Sequence, residues 1–211
     1  VGDSAFFRSL NLYLITNKYK SAEAQNLRLA FEEVTGQDLN WYWNQWYYGS
    51  GHPKLGIHYG YDDVKKLAMV TIAQTQGTGK IFRVPLAIDV YEGKTKTRNK
   101  VWLTKPVETF YFAYRQRPDL INVDGDKIVL CEKTDDKTLA NFIFQYRYAG
   151  LYMDRREAIE YCSDHQDDPA ALELLKTAMK DRYYGLRNLT INSLDLDKPA
   201  VKSTVEPILA D

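Results

Sequence analysis

The chain has 211 residues, a length for one large domain or roughly two to three small ones, and its 28 Lys plus Arg match 28 Asp plus Glu for a formal net charge of zero. That balance excludes the electrostatic footprint of a dedicated nucleic-acid binder, and no apolar run approaches the roughly 18 to 20 residues of a membrane-spanning helix. Apolar residues make up 45% and aromatics 13%, enough to build packed cores.

The first predicted element begins almost at once, in "VGDSAFFRSLNLYLITNKY". Phe6, Phe7, Leu10, Tyr13 and Leu14 recur at helical spacing, with Asp3 or Ser4 as N-cap. No charged leader with an apolar stretch precedes it, and a chain that opens in mid-element is expected to be a piece of a longer polypeptide. A second helix is predicted in "SAEAQNLRLAFEEVTGQ", capped by Ser21, with Leu27, Phe31 and Val34 as its apolar stripe and Gly36 as its C-cap. A third follows Asp38 in "LNWYWNQWYYG" and ends at Gly49. Its tryptophans serve either as a stacking platform for sugars or bases, or as a wedge against a neighbouring domain. Amphipathic aromatic helices mostly face a core, so the wedge is preferred.

From residue 54 to about 132 the period changes to two. Leu55, Ile57, Tyr59 and Tyr61 alternate with Gly56, His58 and Gly60, which puts His58 on the polar face. Asp62-Asp63 turns the chain into "KKLAMVTIAQTQ", and "GTG" at 77–79 turns it into "KIFRVPLAIDVYEG", where Pro85 marks an edge or a bulge. "TRNKVWLTK", "VETFYFAY", "DLINVD" and "KIVLCEK" follow, the last two joined as a hairpin at Asp124-Gly125. Strands at this spacing predict an antiparallel β-sandwich of about seven.

Helical periodicity returns near residue 135. "TLANFIFQYRYAG" ends at Gly150, and "MDRREAIEYC" carries a capping-box pattern of Asp154 with Glu157. "DDPAALELLKTAMKDRYYG" reads as one helix with Asp168 as N-cap, Pro169 at its first position and Gly185 near its end. Two more short helical stretches finish the chain. Short helices with tight links predict solenoid-like stacking, although no repeat period is visible.

The residues that might carry chemistry have plainer uses. His52 and His58 lie six positions apart, His165 is remote, and a zinc site needs three or four converging ligands. His52 is therefore assigned to a helix-to-strand junction and His58 to a half-exposed strand position. "TQGTGKI" lacks the phosphate-loop glycine at Gln74, and Asp62-Asp63, Asp135-Asp136 and Asp167-Asp168 fall at turns or caps. Cys131 and Cys162 form neither a CxxC pair nor a nucleophile motif, and "NLT" at 188–190 matches a glycosylation acceptor that is common by chance. The expectation is that the chain contains no catalytic, cofactor-binding or metal-binding residues.

Taken in order, "GDSAFFRSLNLYL", "FEEVTGQDLNWYWNQWYYGSGHPKL", "VTIAQTQ" and "FRVPLAIDVY" resemble the aminopeptidase N family of zinc metallopeptidases. Gly2, Asp3, Phe6 and Phe7 match its G-D-x-x-F-F helix. Trp46, Gly51, Pro53 and Leu55 match the G-x-P-x-L junction, and Gln74 and Gln76 match the V-x-x-Q-x-Q strand. The resemblance covers residues 1 to 135 well and the helical tail more loosely. The H-E-x-x-H zinc motif, its distant Glu, the G-x-M-E-N strand and the catalytic Tyr have no counterpart here; in the family all precede the matched segment.

The resemblance implies a multi-domain α+β chain: residues 1–50 as the helical end of a catalytic domain, 51–133 as the β-sandwich, and 134–211 as the start of a helical C-terminal domain. The parent would remove N-terminal amino acids from peptides, using zinc that this portion does not hold. The portion itself would act as a structural spacer and cavity-closing scaffold. Its partner would be the catalytic domain of the same parent chain, and the Trp41–Trp46 helix would form part of the contact between catalytic domain and sandwich. Two alternatives come from other classes: a carbohydrate-binding sandwich using Trp102, Tyr111 and Tyr114, and a helical-repeat scaffold for a protein partner. The compartment is left unassigned.

Overall fold

The computed structural model describes residues 1–203. The chain divides into two compact units, Val1–Gly51 and a second that begins at His52.

The first unit holds α1 (Asp3–Thr16), α2 (Ala24–Thr35) and α3 (Asn40–Trp46). Gly2, at φ 79°, is the N-cap of α1, which places Asp3 inside the first turn, where its charge suits the helix dipole. Ser21 does not cap α2. Glu23 does, with its backbone N–H donating to Asn26 Oδ1 at 2.8 Å. The expected left-handed Gly36 closes that helix at φ 66° and donates to the Glu32 carbonyl. Asp38 accepts from the Asn40 N–H at 2.8 Å, and Leu39 N–H donates to Glu32 Oε1 at 2.8 Å, tying the start of α3 to α2. The helix ends at Trp46, ahead of Gly49. Phe31, Leu39 and Trp43 form the unit's buried cluster, with Leu10 and Leu27 packed against it. Trp43 is thus a core residue and not part of a stacking platform.

The second unit begins with β1 (Lys54–Asp62), β2 (Leu67–Gln74), β3 (Val84–Glu92), β4 (Thr95–Leu103), β5 (Val107–Ala113), β6 (Leu120–Val123) and β7 (Glu132–Asp135). They form a four-stranded sheet, β5-β2-β1-β7, and a three-stranded sheet, β4-β3-β6. Alternation decides which side chains go in: Leu55, Ile57, Ala68, Val70, Ile72, Val84, Leu86, Ile88 and Val90 are all buried. Removing each large aliphatic side chain from water is worth about 1.5–3 kcal/mol. His58 is exposed, as its alternate position requires. Every residue of β6 is buried, because helix α4 (Leu139–Tyr148) covers the face that the other sheet strands leave open.

Pro85 sits where β3 is an edge. It pairs with Trp102 of β4, whereas β6 flanks β3 only from Ile88 to Tyr91, so the missing N–H interrupts no inner ladder. The predicted hairpin at Asp124-Gly125 does not form. β6 pairs with β3, and β7, which starts at Glu132 and not at Lys127, pairs in parallel with β1 through Lys54↔Glu132 and Ile57↔Asp135. The sheets are therefore not wholly antiparallel. Asp124 (φ 54°) turns the chain away instead, its carboxylate accepting from the Ile128 and Val129 N–H groups at 3.3 Å.

Gln74 and Gln76 have a structural purpose. Gln74 Nε2 donates to the Phe82 carbonyl at 2.8 Å and to the Lys105 carbonyl at 3.2 Å, while its Oε1 accepts from the Phe82 N–H at 2.8 Å. Gln76 Oε1 accepts from the Lys54 N–H, and its Nε2 donates to the Lys80 carbonyl. The two amides substitute for ladder partners where the chain leaves one sheet for the other.

The unit continues with α4, capped by Thr138, then α5 (Tyr152–Ser163), α6 (Pro169–Ala178) and α7 (Tyr184–Asn192); helical backbone resumes at residue 199. Asp168 accepts from the Ala170 N–H at 2.8 Å with Pro169 in the first turn, as the sequence predicts. Gly185 does not end that helix: α6 stops at Ala178, and Gly185 lies in the first turn of α7. Ile159, Cys162, Ala171, Leu174, Leu175, Ala178 and Leu186 form the helical core. The end of the chain, where the last helical stretch is expected from sequence, lies partly outside the described residues.

Candidate functional site

His52 and His58 end on different carboxylates. His52 Nε2 is 2.7 Å from Glu132 Oε1, and Lys54 Nζ is 2.8 Å from the other oxygen of the same group. Lys54 first, and His52 after it, hold the Glu132 carboxyl below the usual range by hydrogen bonding. His58 Nδ1 is 3.1 Å from Asp136 Oδ2. His52 thus ties the residues before β1 to β7, and His58 ties β1 to the residue after β7. His165 stacks on Tyr161 with ring centroids 4.1 Å apart and bonds the Tyr161 carbonyl through Nδ1 at 2.7 Å. Among the described residues no three or more His, Cys, Asp or Glu groups come together in a way that would hold a metal ion. The donor set does not fit a zinc site, and no step of metal chemistry follows from it.

The other candidates resolve in the same manner. Burial pushes the Cys131 thiol up to about 11 and the Cys162 thiol up to about 12, so neither offers appreciable thiolate at neutral pH. Thr190 of the "NLT" triplet is fully buried in α7, its hydroxyl bonded to the Leu186 carbonyl. Of the three aromatics considered for sugar binding, Tyr114 is 5% exposed and donates its hydroxyl to Asp63 at 2.6 Å. Trp102 and Tyr111 are exposed but belong to different sheets.

The chemistry-bearing residues that do converge form a buried ionic junction where the strands meet the helices. Lys127 Nζ lies 2.9 Å from Glu157 Oε2, 3.2 Å from Asp154 Oδ1 and 3.1 Å from Asn122 Oδ1. Lys133 Nζ takes the other oxygen of Glu157 at 2.9 Å. Lys137 Nζ is 2.7 Å from Asp135 Oδ2, whose Oδ1 accepts the Tyr59 hydroxyl at 2.8 Å. Asn122 Nδ2 donates to Asp154 Oδ1 at 2.8 Å, and Gln145 Nε2 donates to Glu157 Oε2 at 2.8 Å. Three ammonium groups so meet three carboxylates, drawn from the Asp124–Cys131 link, β7, the residues between β7 and α4, and α5, with Tyr59 of β1, Asn122 of β6 and Gln145 of α4 bonded to them.

Each group's environment follows from that packing. Burial alone would raise the Glu157 carboxyl, but the Lys133, Lys127 and Lys137 charges outweigh it and bring its pKa down to about 2. Burial dominates at Lys137 and lowers its ammonium pKa, against the pull of Asp135. Burial, then the Asp135 charge, hold the Tyr59 phenol well above its ordinary value. Lys127 keeps a left-handed φ of 54°, a conformation costly for a side-chain-bearing residue, with its side chain anchored on two carboxylates. Gln145 Oε1 is buried without a hydrogen-bond partner among the described residues.

Such a junction binds elements together but offers no free nucleophile or general base. From sequence, Asp154 and Glu157 pass for a capping box. Asp154 does accept from the Leu151 N–H at 3.3 Å, but Glu157 points into the junction. Asp135, expected at a turn, ends β7 and holds Lys137 and Tyr59.

Against this geometry stand the similarities to known proteins. No family model matches the chain. Aminopeptidase N of Haemophilus influenzae is 28% identical over 98 residues, 44% of this chain and 11% of that protein. The crystal structure of Legionella pneumophila aminopeptidase A in complex with aspartic acid matches 99% of this chain with a TM-score of 0.71 at 13% identity. That match takes in 27% of the Legionella chain. The chain thus spans about a tenth of the curated relative and about a quarter of the solved structure, and the fold is one that an aminopeptidase contains.

Proposed function

We infer that the chain is the non-catalytic C-terminal portion of a zinc-dependent aminopeptidase and serves there as a structural spacer and cavity-closing scaffold. Residues 1–50 are the end of the catalytic domain, 51–133 a β-sandwich, and 134–211 the start of a solenoid-like helical domain. β1 and β2 bury alternate residues, as strands of a sandwich do. The parent removes N-terminal amino acids from peptides with a zinc ion held upstream, and the partner of this portion is the catalytic domain of that same chain.

The observation that carries the proposal is the fold similarity to an aminopeptidase over 99% of the chain, joined by sequence similarity to a second aminopeptidase over 98 residues. The ionic junction supports the spacer role, because it fastens strands to helices. The test is the reading frame upstream of Val1 and the activity of the longer polypeptide. An H-E-x-x-H motif upstream, with zinc-dependent release of N-terminal amino acids that is lost when residues 52–203 are deleted, is the expected result. An upstream frame without that motif overturns the proposal.

A further inference from the structure

A cavity of about 560 Å³ opens beside the start of α5, lined by Gly150, Leu151, Tyr152, Arg155, Arg182 and Tyr183. It shares no residue with the ionic junction. Arg155 is buried, at 7% exposure, and fixed: Nε donates to Asp181 Oδ2 at 2.9 Å and Nη1 to the Gly150 carbonyl at 2.6 Å. Its charge is met by Asp181. Arg182 differs. It is exposed, reaches the Gly150 carbonyl through one long bond of 3.3 Å, and forms no ion pair among the described residues. Most of its donors and its whole charge are therefore open to a ligand at the rim, and no carboxylate residue lines the cavity.

The walls supply the rest. Leu151, Tyr152 and Tyr183 present apolar bodies, the two rings meeting edge-on at 5.4 Å and 89°, with Tyr184 tilted against Tyr183 at 4.9 Å. α5 and α7 both begin here, after Leu151 and Tyr183, neither of which caps its helix with a side chain. Asp154 accepts from the Leu151 N–H and Asp181 from the Tyr183 N–H, so the positive charge offered at the rim is that of Arg182. A largely apolar cleft with a small number of placed polar groups is the usual form of a small-molecule site.

We propose that this cavity binds a small oxyanion, a carboxylate or a phosphate monoester, carried on a flat apolar group that lies against Tyr152 and Tyr183. The guanidinium of Arg182 takes the oxyanion, and Arg155 holds the Gly150 turn that shapes the floor. The experiment is an amide-resolved NMR titration of the whole chain at low salt with benzoate, phenyl phosphate and the uncharged isostere benzamide. Saturable shifts centred on residues 150–155 and 182–184 are expected with an anion and not with benzamide, and the tighter of the two anions identifies the headgroup. Arg182→Gln should weaken binding about tenfold, the size of one charge-assisted hydrogen bond, while Lys180→Gln, a nearby exposed cation, should not. Equal response to benzamide, shifts scattered over the basic surface, or equal weakening by the two variants would overturn the proposal. The comparison of ligands on the unaltered chain stands even where a variant fails to fold.

Discussion

Glu157 illustrates how a single side chain carries the junction. Its carboxylate is shared between Lys127 and Lys133 at 2.9 Å each, and the same three-lysine field that lowers its pKa to about 2 makes its ionisation a source of stability. A folded-state pKa below the unfolded one means that the contribution is complete above the ordinary carboxylate range and is lost as pH falls toward 2. Glu157→Gln should therefore cost on the order of 3 kcal/mol at neutral pH, because the buried Lys133 ammonium loses its ion-pair partner and Lys127 keeps only Asp154. The difference from the unaltered chain should shrink steadily as the pH is lowered from about 4.5 to about 2. Urea unfolding at a series of pH values measures it, and a pH-independent difference would show that Glu157 acts through packing alone. Little of this was visible in the sequence. The exposure of His58 follows from a period of two, but the partners of Glu157 lie 24 and 30 positions away on other elements, and local pattern does not encode such pairs. Asp154 and Glu157 looked like a cap because their spacing fits one.

At the scale of elements, the path after β6 decides the topology. A hairpin at Asp124-Gly125 was the natural expectation, since Asp-Gly is a favoured hairpin turn. The turn is real, but Gly125 N–H bonds the Ala87 carbonyl at 2.8 Å and the chain departs toward Lys127 and β7. A Cβ at position 125 would stand 2.4 Å from Asp89 Oδ2, and Asp89, 1% exposed, is locked by Arg98 at 2.7 Å and cannot move aside. Gly125→Ala should thus destabilise the chain by about 1–3 kcal/mol through overpacking, read as a drop in the urea midpoint at unchanged slope.

Gln74 gives a second test on the other side of the sheets. Gln74→Ala orphans both backbone groups of Phe82, itself 1% exposed, and should cost about 2 kcal/mol or more. Calorimetric melting that is unchanged in this variant would mean that water replaces the amide without penalty. The strands themselves were legible because alternation is local. The parallel pairing of β7 was not, because its four residues, half of them exposed and none aliphatic, carry no apolar signal.

For the whole molecule, the two units differ in how much core they own. Val1–Gly51 buries a cluster of Phe31, Leu39 and Trp43, whereas the unit from His52 onward buries the alternate faces of two sheets and a helical core fastened to them by the junction. So small a core supports marginal stability. The chain's four tryptophans report on this directly, since Trp41, Trp43 and Trp46 lie in the first unit and Trp102 in the second. In a Trp102→Phe variant, indole emission should change at lower denaturant than the ellipticity of the second unit, which should be lost in one step. A single coincident transition would contradict that ranking.

The broad α+β architecture was readable from the change of period and from punctuating residues such as Gly36, Pro53 and Pro169. What they could not reveal is whether the histidines meet. The decisive measurement is the zinc content of the 211-residue chain, purified after expression in zinc-supplemented medium. With His52 held by Glu132 and His58 by Asp136, far less than one tightly bound ion per chain is expected. One zinc per chain that survives dialysis against a weak chelator would contradict a purely structural role.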